Sequence, residues 1–366
     1  MQFCCITREL YAALGTVSRA ASGRGALPVL NGVLLRTEAN RLFLTGYNLE
    51  LGVVTQIDAK VQEQGTIVLP AKTITEMVRN MPGQEVSFKE APNGVMTVTS
   101  GSAAYSLPGM KAEDYPQLPD MKDVESIVLP AEAFQRMIGQ TQFAVSKSDM
   151  KPVQKGALLE MAPDHLSMVS TDGYRLAVCR EDTGSGTEGK LVIPGKALAE
   201  IARLSKGQKT VELQFNRRFV SARLGMTRLL SRLLDGEFFD YTKAIPADAR
   251  TTVLAPTKAL IESVTRASLL ISDKLKSPVR VRFGDNIIRL SCETSLGRSY
   301  DEVPCSTTGS ELEIGFNARY LLDALQAAGE EQVKLELGSP LAPMKITSSD
   351  QGRYLFLVLP VRLKAA

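Results

Sequence analysis

The chain repeats itself three times, and this constrains the fold more than any single motif does, because a long internal period defines the folding unit. Pro70-Ala71-Lys72 opens a stretch with Ile74, Met77, Val78 and Met81 at i, i+3, i+4 and i+7, the apolar face of an amphipathic helix that stops at Pro82-Gly83. The pattern returns 124 residues on, as Pro194-Gly195-Lys196 followed by Leu198, Ile201 and Ala202 with Gly207 as the stop. After a further 123 it returns again, as Asn317-Ala318-Arg319 followed by Leu321, Ala324, Leu325 and Ala328, then Gly329. A second helical pattern keeps the same period: Leu10, Ala13, Leu14 and Val17; Phe134, Met137, Ile138 and Thr141; Leu260, Val264 and Ala267.

Between these helices lie β-rich segments, among them Arg41 to Val54, His165 to Cys179 and Asn286 to Val303. Leu44 to Leu51 superposes on Val169 to Leu176 at an offset of 125, and Glu113-Asp114-Tyr115-Pro116 answers Phe239-Asp240-Tyr241 at 126. Each third therefore holds two helices and several short strands, an α+β unit of roughly 120 residues. A period this long is a tandem domain rather than a solenoid turn. Pro and polar residues interrupt the strand patterns after Pro119-Asp120 and near Pro246-Ala247-Asp248, which sets expected domains at 1–120, 121–247 and 248–366.

Composition excludes several classes. Hydrophobic residues are 44% and charged residues 23% of the 366, the balance of an ordinary folded protein. His165 is the only histidine, so a His-rich metal site is excluded and any Ser-His-Asp triad would depend on that residue. Cys4, Cys5, Cys179, Cys292 and Cys305 are odd in number and include no C-x-x-C, so they read as reduced thiols. Arg8 and Glu9 stand where a secretion signal needs an apolar run, and the longest apolar run, Tyr354 to Leu359, is too short to span a bilayer. A soluble, cytoplasmic protein is expected. The net charge is only +3, far from that of a protein that grips DNA by charge alone. Windows around the six helical patterns carry +5 between them and leave −2 for the rest, so the positive charge is on the helices.

Two motifs invite a catalytic reading. Gly184-Ser185-Gly186-Thr187-Glu188-Gly189 spells G-x-G-x-x-G, but Leu191-Val192-Ile193 after it reads as a strand where a dinucleotide loop needs a helix, and Glu181, Asp182 and Glu188 would repel phosphate. A hairpin loop fits better. Thr171-Asp172-Gly173-Tyr174 offers Asp172 as a base, yet no second carboxylate or nucleophile is fixed beside it, and an Asp-Gly turn between strands accounts for it. The C-terminal Tyr354 to Leu363 reads as an apolar edge strand closed by Pro360, with an apolar docking groove as the competing reading.

Taken in order, Leu27-Pro28-Val29-Leu30, Asp114-Tyr115-Pro116, Gln140-Thr141-Gln142-Phe143-Ala144, Thr171 to Val178, Leu233-Leu234-Asp235-Gly236 and Leu359-Pro360-Val361-Arg362-Leu363 resemble one family along nearly the whole chain. That family is the β subunit of bacterial DNA polymerase III, the sliding clamp. The resemblance implies a clamp fold closed head to tail into a homodimeric ring, with helices lining the hole and sheets outside. It implies a non-catalytic processivity factor that holds DNA by topology, with no cofactor and no metal. The implied partners are encircled duplex DNA, the replicative polymerase, the clamp loader, other proteins bearing a clamp-binding peptide, and a second copy of the chain, with no membrane.

Carried over by position, the implied peptide groove uses Thr171, Gly173, Tyr174, Arg175, Leu176, Phe239, Lys243, Ala244, Pro343, Leu357, Leu359, Pro360, Val361, Arg362 and Leu363. Tyr174 and Phe239 stand where the best-known member has His and Pro, and Gln154 stands where an apolar residue is usual, which implies a differently shaped apolar subsite. Lys364-Ala365-Ala366 run past the family's usual end. The DNA-facing positions are Arg24, Lys147 and Lys151 on loops and Arg79, Lys196 and Arg203 on helices. The seam between copies brings Met77, Tyr105 and Leu107 against Leu269 and Leu270. Two other readings compete: an enzyme using the Asp172 turn or the Gly184 loop, and a triplicated peptide-binding adaptor that does not encircle DNA.

Overall fold

A computed structural model describes residues 1–21, 27–183, 186–272, 277–349 and 352–363. Arg24, Gly184, Ser185 and Lys364 to Ala366 lie outside them. The described residues form six α-helices: α1 (Thr7–Val17), α2 (Ala71–Arg79), α3 (Ala131–Thr141), α4 (Gly195–Leu204), α5 (Thr257–Ala267) and α6 (Ala318–Ala328). They start where the two repeated apolar patterns place them. Each buries the expected face, for example Leu10, Ala13, Leu14 and Val17 on α1 and Leu321, Ala324, Leu325 and Ala328 on α6. Sharp ends have local causes. Asn317 Oδ1 accepts from the amides of Arg319 and Tyr320 at the start of α6, and Gly329, at φ +67°, ends it.

The chain falls into two compact units, Met1–Pro130 with Leu204–Leu233, and Ala131–Arg203 with Leu234–Ala366. The first unit holds a five-stranded sheet in the order Lys60–Glu63, Gln2–Ile6, Glu85–Glu90, Val95–Ser100, Ala103–Pro108. Its eight-stranded sheet runs Glu125–Pro130, Thr210–Phe215, Phe219–Leu224, Thr227–Arg232, Leu51–Asp58, Arg41–Tyr47, Gly32–Glu38, Thr66–Pro70. The second unit holds a nine-stranded sheet in the order Gly189–Pro194, Gly156–Met161, Leu166–Thr171, Arg175–Glu181, Tyr354–Val358, Met344–Ser348, Gln332–Leu337, Thr251–Pro256, Ser306–Gly309. Its four-stranded sheet runs Gly297–Pro304, Ile287–Thr294, Val279–Gly284, Leu312–Phe316.

Three sequence repeats thus give two compact units, because the middle repeat divides its strands. Those at 125–130 and 210–232 complete a sheet with the first repeat, and those between 156 and 194 complete one with the last. Both joins are made alike: the last strand of one repeat lies antiparallel to the fourth strand of the repeat before it, Thr227–Arg232 against Leu51–Asp58 and Tyr354–Val358 against Arg175–Glu181.

Three expectations need correction. Tyr354–Val358 is no edge strand; it pairs on both sides, with Arg175–Glu181 and with Met344–Ser348, and it is uniformly apolar because Tyr354, Phe356 and Val358 enter one apolar cluster and Leu355 and Leu357 another. The turn at Leu44 to Leu51 superposes at 124 rather than 125. Asn48 Oδ1 accepts from the amides of Glu50 and Leu51 as Asp172 Oδ1 accepts from Tyr174 and Arg175, and Leu49 at φ +73° takes the place of Gly173 at φ +89°. A leucine in the left-handed region is strained, and the turn's hydrogen bonds hold it there. The hairpin expected around Gly184 and Ser185 is the third: the strand Leu191-Val192-Ile193 is there, within Gly189–Pro194, but it does not pair with Arg175–Glu181, because Gly156–Met161 and Leu166–Thr171 lie between the two in the sheet, so the connection is a crossover and not a hairpin.

Candidate functional site

The second unit gathers the Thr171 turn, the segment from Leu234 to Ile245 and the end of the chain. Thr171 and Asp172 build the turn between two strands. Thr171 Oγ1 donates to the Arg175 carbonyl (2.7 Å) and accepts from the Gly173 amide (3.1 Å), while both Asp172 oxygens are spent on Tyr174, Arg175 and the Arg175 side chain. Asp172 thus serves as a structural acceptor that shapes the turn. The turn projects Tyr174, 60% exposed, into solvent.

Beneath the turn, Leu176 stands opposite Leu357 across the strand pair, and both are buried in an apolar cluster with Leu158, Val169 and Val192. Leu234, Phe238, Tyr241 and Ile245 pack onto this cluster from the 234–245 segment. That segment is tied down by the Leu234 amide on the Val192 carbonyl and by the Tyr241 hydroxyl on Glu160 (2.6 Å), which Lys190 also meets at 2.7 Å. Burial, reinforced by the Glu160 hydrogen bond, pushes the Tyr241 hydroxyl well above its ordinary range, so it stays protonated and keeps donating. Phe239 stacks on Phe238 (5.4 Å between rings) and is left exposed, as are Lys243, ion-paired with Asp240, and Ala244.

The chain end leaves the sheet along this surface. The Leu359 amide donates to the Tyr174 carbonyl (2.9 Å) and the Val361 amide to the Gly315 carbonyl (2.8 Å). Gly315 is a required glycine, since a Cβ there would lie 2.6 Å from both the Leu363 side chain and the Val361 carbonyl. Leu359 and Val361 therefore join Tyr174 and Phe239 as exposed apolar groups, with Pro343 beside the end of the same sheet and Arg362 in solvent. Such a surface, with an apolar floor, aromatic walls and a few polar groups, suits an extended apolar peptide. Gln154 is bound through its backbone carbonyl to the Ser146 amide.

Three contributors escaped sequence reasoning. Arg175 is buried, its guanidinium lying between Phe143 and the α6 residue Tyr320 and paired with Asp172 and with Asp323, also on α6. Tyr320 and Asp323 are three apart, on one helical face, a weak signal; Phe143 sits in a quoted family motif without an assigned role.

Of the proposed DNA-facing cations among the described residues, Lys147, Lys151 and Lys196 are exposed and Arg79 is exposed 3.7 Å from Glu76. Arg203 is only a third exposed and bound to Glu200 at 2.8 Å, so its charge is largely compensated. At the proposed seam, Met77 and Tyr105 border a hollow of about 530 Å³ with Lys72, Thr73, Glu76 and Asn80. Leu107 is buried within its own sheet and would underlie the contact. Leu269 is 77% exposed and Leu270 half-buried, on the short helical turn after α5. The described residues contain no cluster able to hold a metal ion, and none of their helices is long and apolar enough to cross a membrane.

Comparison with known proteins agrees with this architecture. Models of the N-terminal, central and C-terminal domains of the DNA polymerase III beta subunit match residues 1–119, 128–240 and 242–362. The chain is 30% identical to the beta sliding clamp of Synechococcus elongatus over the whole of both chains, and 31% identical to that of Proteus mirabilis over 99% and 100% of the two. It superposes on the crystal structure of the DNA polymerase sliding clamp from Bacillus subtilis with a TM-score of 0.95, at 27% identity and complete coverage of both chains. A Pseudomonas aeruginosa sliding clamp solved with a ligand gives 0.91 at 28% identity, over 99% of this chain and all of that one. The chain belongs to the DNA polymerase III beta subunit family, the beta sliding clamps.

Proposed function

We propose that two copies of this chain close head to tail into a ring around duplex DNA and that the Thr171–Leu176 turn, Phe239, Lys243, Ala244, Pro343 and the Leu357–Leu363 end receive peptides from the replicative polymerase, the clamp loader and other clamp-binding proteins. It would act in the cytoplasm without catalysis or cofactor, with domains at 1–120, 121–247 and 248–366, and with Lys147, Lys151, Lys196, Arg79 and, more weakly, Arg203 facing the DNA beside Arg24.

The observation that carries this reading is the repeated sheet join. Twice, the last strand of a repeat pairs with the fourth strand of the repeat before it. One last strand, Ala103–Pro108, and one fourth strand, Gly297–Pro304, remain at sheet edges. Unpaired edges invite pairing with another chain, and pairing of these two between separate copies would repeat the internal join and close the copies head to tail. Met77, Tyr105, Leu269 and Leu270 supply apolar contact there.

The deciding experiment is retention on circular DNA. Loaded protein should stay on nicked circles and fall off once the circle is cut. Equal retention on linear DNA would favour the adaptor that does not encircle it.

A further inference from the structure

Among the described residues Arg175 is the one charged residue that is buried. Burying a guanidinium is costly unless its hydrogen bonds and charge are met, and here they are met by groups from separate segments. Its Nε donates to Asp172 (3.0 Å) and one terminal nitrogen to Asp323 (2.5 Å). One side chain over which it lies is Tyr320 (4.6 Å to the ring centre) and the other is Phe143 (5.3 Å). Tyr320 in turn stacks on the exposed Tyr174 (5.8 Å, 25°), and Phe143 meets the buried Phe356 edge to face (5.2 Å). Arg175 was expected among the residues that touch the peptide, yet its charge is spent inside the protein.

The geometry points to Asp323 and Tyr320 as positioning residues for the groove: from one face of α6 they clamp Arg175 and hold the Thr171–Leu176 turn so that Tyr174 is presented in a fixed pose. Asp172 alone could shape the turn, but it belongs to the turn and moves with it. Asp323 and Tyr320 belong to a helix more than 140 residues away in sequence, so they anchor the turn's buried guanidinium to the third repeat, in addition to the backbone bond from Leu359 to Tyr174 and the pairing with Tyr354–Val358. A groove whose walls come from two repeats gains affinity when those walls are locked together before the peptide arrives, because less order is lost on binding. This inference rests on the peptide-groove reading above.

The test uses the full-length protein, with its mass in solution checked, and a fluorescein-labelled peptide carrying one Gln and two bulky apolar residues. Asp323→Ala should weaken binding about tenfold or more, and Asp323→Glu should recover most of it. Asp323→Asn keeps the volume and should behave like Asp323→Ala, which guards against a simple packing defect. Tyr174→Ala should weaken the parent but add little to Asp323→Ala, since one residue acts through the other. Independently of any peptide, amide hydrogen exchange over 171–176 should quicken in Asp323→Ala. Parental affinity in Asp323→Ala, strict additivity with Tyr174→Ala, or unchanged exchange would each overturn the assignment. If exchange quickens while the parent itself binds no peptide, the clamp on Arg175 stands and the groove reading falls.

Discussion

Single side chains at this surface divide into those that build it and those that can meet a partner. Leu176 and Leu357 are 3% and 2% exposed, so they are floor, and Leu176→Asp would bury a charge at a cost of about 3 kcal/mol or more to the fold. Val361 is 39% exposed and held by its backbone. Val361→Asp should therefore keep the melting temperature of the parent within a few degrees and weaken peptide binding by about 2 kcal/mol, roughly thirtyfold, measured by fluorescence polarisation. Full affinity in that variant would move the docking site elsewhere. The thiols permit a separate test. Burial pushes Cys5 and Cys179 up to about 12, so neither is appreciably thiolate at pH 8. Half-buried Cys4 and Cys305 should be alkylated by iodoacetamide first, with Cys5 and Cys179 protected until denaturant is added, as mass spectrometry would report. All five thiols are free, as their odd number and spacing suggest.

Elements repeat with enough fidelity to predict a contact between copies. Applying the chain's own offsets to the two internal joins puts Ala104 opposite Tyr300, Tyr105 opposite Ser299 and Ser106 opposite Arg298 when Ala103–Pro108 meets Gly297–Pro304 of a second copy. Cysteines at 104 and 300 should cross-link under mild oxidation into a covalent dimer, whereas cysteines at 104 and 298, two residues out of register, should cross-link far less. Equal yields would refute this register. The short helical turn after α5 gives the complementary loss. Leu269→Asp with Leu270→Asp should yield monomers by sedimentation, because the seam would then bury unpaired charge. Helix positions were legible from periodicity because each helix buries a single stripe. The C-terminal strand was misplaced because an apolar run looks alike at an edge and in the middle of a sheet, and only its two neighbours distinguish the cases.

At the scale of the molecule, net charge and topology act together. With +3 overall and Arg203 compensated by Glu200, direct attraction to a phosphate backbone is modest. Binding to a short linear duplex should be weak, with a Kd on the order of 10⁻⁴–10⁻⁶ M, and should fade as salt is raised. Retention on closed circles should persist over the same salt range. Tight binding to a linear duplex, seen by anisotropy, would contradict an encircling clamp.

The sequence by itself determined the period, the six helices and their buried faces, the thiol state, and, through short motifs in a fixed order, the family. All of these depend on residues close in sequence or on patterns that recur. Only the tertiary structure decided that the middle repeat lends strands to both neighbours, that Tyr354–Val358 is interior, and that Arg175 is clamped from α6 by Tyr320 and Asp323. Those facts rest on contacts between segments more than a hundred residues apart. A buried arginine and an exposed one are written with the same letter, and the carboxylates and rings that fold around the chain decide between them.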